Sequence, residues 1–308
     1  MALHPQCEAF LAPGADAPEL IDIPIATGRA GSYVDMTLSG ELTPGVTIAN
    51  QFIPGDTADL LIRIYRPTGA DIKNGLAYFH GGGWSYFSVD MYDAQLTALA
   101  SMSNSVIVSV NYQKSPEHKF PIPHDDCFTG LKWVFANAEK LGIDSQKIGI
   151  GGDSAGGNLA AGVALRNRDE KLFPIAYQLL IYPCVGVNFE TDSYNSNAVG
   201  YGLSKRTMSW LWSLYLNSEG DYTNHYAVPL SSANCADLPP AIVITAEFDV
   251  LRDDGRQYAE KMMKDGVKVI YRDYPGMIHG FFNYGKYIHD GIIARTHFAD
   301  AIKELLLQ

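Results

Sequence analysis

Ser154 stands in Gly152-Asp153-Ser154-Ala155-Gly156, a G-x-S-x-G that follows the β-branched run KIGI and precedes the helical pattern AGGNLAAGVALRN. A serine on a sharp strand-to-helix turn holds its Oγ clear of the sheet, and glycines on either side let strand and helix approach without an intervening Cβ. The helix that starts there offers positive dipole and unpaired N–H groups where negative charge develops, with the Ala155 N–H among them. A phosphate-binding glycine turn is the competing reading. It fails because neither Gly149 nor Gly151 opens a complete G-x-G-x-x-G, and no Lys follows Gly156 as a P-loop requires.

A hydroxyl is a poor nucleophile without a base in reach and an acid that orients the base. The chain offers His4, His80, His118, His124, His225, His279, His289 and His297. His279 follows the strand-like VKVIYRDYP in the loop Pro275 to Gly280, which brings it to the sheet edge that carries the elbow. His289 and His297 fall on or near the last helical pattern, His4 in the irregular N-terminus, and His225 in a long insertion. His279 is therefore the expected general base. Asp249 ends the strand AIVITAEF and is the expected orienting acid. Glu247 is the nearest competitor, and Asp253 and Asp254 have an adequate role as helix-start acids. His80-Gly81-Gly82-Gly83-Trp84 follows the strand GLAYF, and its bare glycines can bring main-chain N–H groups to a substrate carbonyl. His80 itself reads as structural.

The elements that must position these groups are legible as an alternation. GLAYFHGGG, SVIVSVNY, KIGIGGDS, AYQLLIYP, AIVITAEFD and VKVIYRDYP are short strand-like runs. Helical patterns lie near 89–103, 124–141, 155–167, 253–266 and 288–306, an arrangement that predicts an α/β fold with a mostly parallel sheet. ADLLIRIYRP alternates apolar and polar residues ahead of them, as an antiparallel edge hairpin would. Two stretches break the rhythm. Residues 1–45 are rich in Gly, Pro and Ala with little periodicity, and residues 186–235 separate consecutive strands by far more than a usual connection. The second concentrates apolar surface in Tyr194, Tyr201, Met208, Trp210, Trp212 and Tyr215, which suits either an ordinary helix packed on the core or a cap over a pocket, and the length of the connection and the strand topology favour the cap. The expected organisation is an N-terminal cap segment at 1–45 and a catalytic domain at 46–308, with 186–235 as a cap insertion. Trp84, Tyr201, Met208 and Trp212 are the expected substrate contacts.

Composition narrows the function classes. The 308 residues are 47% apolar and 19% charged, enough to bury a large core. A net charge of -11 repels polyanions and argues against a nucleic-acid partner. Cys7, Cys127, Cys184 and Cys235 are far apart and suit a reducing, cytoplasmic compartment. The segment MALHPQCEAFLAPGADAPEL lacks a basic n-region and a sustained apolar core, and no run is long enough to span a bilayer, so a complete, unanchored chain is expected.

Taken together, HGGGW, GDSAGGNLA, LPPAIVITAEFDVLRDDG and YPGMIHGFF, in that order over about residues 47–306, resemble the hormone-sensitive-lipase family of carboxylesterases. The order Ser154, Asp249, His279 is likewise that of α/β-hydrolases. The resemblance implies an eight-stranded α/β-hydrolase core flanked by helices, a cap built from the N-terminus and the insertion after the sixth strand, and hydrolysis of short- to medium-chain esters. Carried over, Ser154 is nucleophile, Asp249 and His279 complete the triad, and Gly82, Gly83 and Ala155 form the oxyanion hole, with no metal or cofactor. NYQKSPEHKFP departs from the family's DYRLAPEHPFP at Asn111, Gln113, Lys114 and Ser115. Glu117 in that block is expected to brace the active-site floor. Val250 stands where the family has Pro, and residues 1–45 lack its clear amphipathic helices. An amidase or lactonase on the same triad is the alternative chemistry, and a non-catalytic small-molecule receptor the alternative class. The expected partner is a small ester, with a homodimer left open.

Overall fold

The structure is a computed structural model that describes residues 2–33, 36–69 and 74–306; of the 1–45 segment, residues 1, 34 and 35 lie outside the described residues. Eight strands form one sheet in the order β1-β2-β4-β3-β5-β6-β7-β8. They are β1 (Val46–Ile53), β2 (Leu60–Pro67), β3 (Asn74–Phe79), β4 (Ser105–Asn111), β5 (Ile148–Asp153), β6 (Gln178–Ile181), β7 (Ala241–Phe248) and β8 (Val269–Ile278). From β4 to β8 every pairing is parallel, while β2 runs antiparallel to both β1 and β4. The hairpin expected from ADLLIRIYRP is present, but its outer strand is β1, whose residues are mostly exposed, and β2 is interior.

The helices are α1 (Pro5–Leu11), α2 (Ile25–Gly31), α3 (Asp93–Ser103), α4 (Ile122–Ala136), α5 (Ala138–Leu141), α6 (Ala155–Glu170), α7 (Asp192–Ser196), α8 (Lys205–Tyr215), α9 (Arg252–Lys264) and α10 (Asp290–Leu306). Strand alternation sends successive side chains to opposite faces. In β3, Ala77 and Phe79 join a core with α4, α6 and α9 residues such as Leu131, Leu159 and Met262. Leu76 and Tyr78 join a second core with Leu99 of α3 and Phe298 of α10. Both faces are covered, which is why the parallel strands read as continuous apolar runs without polar alternation.

The two stretches outside the βα rhythm meet each other. Residues 1–45 contain α1 and α2, seven residues each. Neither is long enough to show a sustained 3.6-residue period, so composition alone hid them. Arg206 of α8 donates to both oxygens of Asp22 at 2.7 Å, and the Ser204 and Thr207 hydroxyls donate to Glu19 at 2.6 and 2.8 Å. Through these bonds the N-terminal segment sits against the 186–235 insertion.

Candidate active site

Ser154 leaves β5 with φ 55° and ψ -120°, a left-handed conformation that strains any L-residue. Its neighbours make that turn compulsory. A Cβ on Gly156 would collide with the Phe79 carbonyl oxygen, and one on Gly152 with the Gly156 backbone. The Ser154 N–H donates to the Ile181 carbonyl at 2.8 Å, anchoring the elbow to β6.

Sheet register then decides which side chains meet. Phe248 of β7 pairs with Ile278 of β8, after an irregularity beyond Ala246 that absorbs extra residues on β8. Asp249 and His279 each follow their paired residue, so they leave adjacent strands side by side. The strand VKVIYRDYP therefore runs further than its sequence suggests, through Gly276 at φ 74°, and His279 sits directly at its end. His279 Nδ1 lies 2.7 Å from Asp249 Oδ2, and His279 Nε2 lies 3.0 Å from Ser154 Oγ. A carboxylate can only accept, so the imidazole proton belongs on Nδ1 and Nε2 turns a lone pair to the serine. Asp249 is 1% exposed, and its other oxygen accepts the Leu251 N–H at 2.9 Å. The Tyr182 ring packs beside the imidazole at 4.7 Å between centroids.

The HGGGW loop is brought to the same edge by the pairing of Phe79 with Gly152. Gly82 and Gly83 have φ of 103° and 58°, and a Cβ on Gly83 would press on Leu211 at 2.6 Å. Only glycine suits both demands. His80 is fully buried, with Nδ1 2.7 Å from the Gly81 carbonyl and its ring stacked on Tyr112 at 4.3 Å. Burial holds its pKa well below the usual range, consistent with a neutral, structural imidazole.

Asp153 was not singled out from sequence, being the unspecified x of the motif. It accepts four hydrogen bonds: from Gly81 N–H at 3.0 Å, Tyr78 OH at 2.9 Å, Tyr92 OH at 3.0 Å and Asn283 Nδ2 at 2.9 Å. Burial pushes its carboxyl up despite these donors. It thus ties the glycine loop to the elbow from beneath, with donors supplied by three separate segments.

A cavity of about 680 Å³ opens above Ser154 and His279. Its walls include Leu20, Ile23 and Met36 from the N-terminal segment, Phe87 from the glycine loop, and Met208 and Leu211 from α8. Of the four expected substrate contacts, Met208 alone lines it. Trp84 and Trp212 are fully buried and pack on each other at 4.5 Å, with Tyr215 stacked on Trp84 at 4.3 Å. Trp212 is turned onto Trp84, while its neighbour Leu211 takes the place on the cavity wall. Tyr201 packs on Phe248 at 4.9 Å and is not among the cavity walls, although Gly202 and Leu203 beside it are.

Other acids also find their places. Glu247 accepts the Gly276 N–H at 2.7 Å. Asp253 and Asp254 do more than start α9, accepting the Ser193 and Gly186 N–H groups at 2.9 and 3.0 Å and so fastening the insertion. Glu117 does not brace the active-site floor. It is exposed and pairs with Arg29 of α2 at 2.7 Å, because its segment borders the N-terminal helices. Among the described residues, no cluster of three or more His, Cys, Asp or Glu could hold a metal ion. Nor, among the described residues, is any helix long and apolar enough to cross a membrane.

Known proteins resemble this chain in sequence and fold. A family described by the alpha/beta hydrolase fold matches residues 76–283. The carboxylesterase NlhH of Mycobacterium tuberculosis is 36% identical over 250 residues, covering 79% of this chain and 78% of its own. An arylesterase of Saccharolobus solfataricus is 37% identical over 224 residues, covering 72% and 73%. The solved structure of ester-hydrolase EH1AB1 from the metagenome of Lake Arreo, complexed with a bipyridine phosphonate derivative, superposes with a TM-score of 0.94 at 34% identity, covering 99% of this chain and 100% of that one. Sequence likeness across most of the chain and near-complete structural overlap agree, and the chain belongs to the α/β-hydrolase fold family, among its hormone-sensitive-lipase-like carboxylic ester hydrolases.

Proposed function

We propose that this ester hydrolase is a serine carboxylesterase acting through an acyl-enzyme at Ser154. The observation that carries the reading is the unbroken contact from Asp249 through His279 to Ser154, at 2.7 and 3.0 Å. Ser154 Oγ attacks the ester carbonyl carbon as His279 Nε2 takes its proton, and Asp249 stabilises the imidazolium. The tetrahedral oxyanion is received by the Gly82, Gly83 and Ala155 N–H groups, donors of a kind each contributing about 100- to 1,000-fold in rate. Collapse expels the alcohol, protonated by His279. Water then attacks the acyl carbon with His279 again as base, releasing the acid and restoring Ser154.

The segments at 1–45 and 186–235 serve as the cap over the cavity, and short- to medium-chain acyl groups are its substrates. A panel of 4-nitrophenyl esters from acetate to palmitate should peak at four to eight acyl carbons; a maximum on long-chain fat emulsions would replace the esterase with a lipase. Ser154→Ala should remove nearly all turnover of 4-nitrophenyl butyrate in a folded protein, and retention of a tenth of the activity would refute the assignment. The family likeness and the intact three-residue contact support turnover over a receptor role. Cytoplasmic placement and a homodimer belong to the same proposal. Four free, buried cysteines suit a reducing compartment, and a monomeric mass by light scattering would remove the dimer.

A further inference from the structure

The loop that carries the glycines is held in place from the N-terminal segment, through one guanidinium. Arg29 Nε donates to the Ser85 carbonyl at 2.8 Å, and Nη2 donates to the Ser115 carbonyl at 2.9 Å. The outer side of the same group is gripped by both oxygens of Glu117, at 2.8 and 2.7 Å. Next to it, Gly28 lies against the Tyr86 ring so closely that a Cβ there would sit 2.8 Å from Tyr86 Cε1.

These contacts fall on a strained turn. Trp84 and Phe87 take φ of 57° and 64°, which bulky L-residues hold only where their surroundings over-determine them. Within the turn, the Gly82 carbonyl accepts the Ser85 and Tyr86 N–H groups at 3.1 and 2.8 Å, so a movement of Ser85 is passed to Gly82. The Ser85 and Ser115 hydroxyls are 2.8 Å apart, and the Ser115 N–H donates to the Trp84 carbonyl at 3.0 Å. Arg29 thus clamps the two chains, 85 and 115, that fix the turn from outside, while Asp153 fixes Gly81 from beneath. As an ion pair alone the Arg29 contact contributes little, since the two side chains are 30% and 55% exposed and exposed pairs are worth roughly 0–1 kcal/mol.

We infer that Arg29 is a positioning residue for catalysis: by holding the Ser85 carbonyl it aims the Gly82 and Gly83 N–H groups at the oxyanion, which makes the N-terminal segment part of the machinery and not only a pocket wall. The inference rests on the oxyanion role proposed for those glycines.

The test compares Arg29→Lys, Arg29→Gln, Arg29→Ala and Glu117→Gln in the full chain, with folding checked by circular dichroism. The expected result for Arg29→Gln and Arg29→Ala is a fall in kcat of about 10- to 100-fold, part of the loss typical of deleting a donor outright. It should be equal on acetate and octanoate esters, with KM changed less than threefold. Affinity for a trifluoromethyl ketone, which forms a tetrahedral adduct on the serine, should fall in step with kcat. Guanidinium at millimolar concentration should restore part of the Arg29→Ala rate, Arg29→Lys should lie between, and Glu117→Gln should lose only a few-fold. Should Arg29→Ala not be recovered folded, Arg29→Lys decides, since it too must lose kcat and ketone affinity together. Unchanged kcat, or a KM that rises with acyl length alone, would overturn the inference. It would then fail by itself if Ser154→Ala is inactive; an active Ser154→Ala removes the proposed function instead.

Discussion

Replacing Asp249 by asparagine puts the wrong proton in front of the serine, and the structure fixes how. One Asp249 oxygen accepts the Leu251 N–H at 2.9 Å and the other faces His279 Nδ1 at 2.7 Å. In Asp249→Asn the Leu251 N–H still demands an oxygen, so the amide NH2 must face the imidazole. Nδ1 then has to accept, the ring proton moves to Nε2, and the lone pair 3.0 Å from Ser154 Oγ is lost. A wrong-tautomer change of this kind lowers kcat about 10,000-fold, or about 5 kcal/mol at 1.36 kcal/mol per tenfold. The substitution is nearly isosteric, so the thermal midpoint should move by only a few degrees. Single-turnover release of 4-nitrophenol from the butyrate ester, followed by stopped flow, separates acylation from deacylation, and both should slow. A variant within tenfold of wild type at pH 7 would refute the tautomer argument and the role of Asp249 with it.

Gly156→Ala should lower stability by about 3 kcal/mol, at the upper end of over-packing costs, because its Cβ would meet backbone at Phe79 that cannot rotate away. Differential scanning calorimetry should show a clear drop in midpoint, whereas Gly14→Ala, with open space around it, should show little change. Lys114 donates to Asn111 Oδ1 and the Tyr112 carbonyl, and burial lowers its pKa from 10.5 to about 8. Between those values the unfolded chain holds the extra proton, so this group makes stability climb with pH from about 8 to 10.5. Urea titrations at pH 7 and pH 10 should show the wild type gaining on Lys114→Met as pH rises, and a constant difference would contradict it. The charged side chains among the described cavity walls are the acids Glu19 and Asp153, with no Lys or Arg. An ester with a free carboxylate, mono-4-nitrophenyl glutarate, should therefore react at least about tenfold more slowly than its methyl ester, since an unpaired buried charge is costly. Equal kcat/KM values would show that the charge stays in solvent.

The primary structure determined what is local. Whether a strand can turn into a helix through a serine depends on glycines two residues away, and the clash of a Cβ at Gly156 with the neighbouring backbone is the reason that signal is readable from five letters. Alternation of strands and helices likewise reports on each segment alone, and with parallel strands it places Ser154, Asp249 and His279 at one edge. Three decisions belonged to tertiary structure because they depend on partners remote in the chain. The register of β7 on β8, with its irregularity, brings the carboxylate against the imidazole. Docking of α8 decides that Met208 faces the cavity while Trp212 is spent on Trp84, although both carry the same apolar signal. Arg29 had no pattern to announce it, Asp153 was the unspecified x of its motif, and Glu117 was expected at the active-site floor but pairs with Arg29 instead, since a charged side chain acquires its meaning from the carbonyls and amides that folding sets around it.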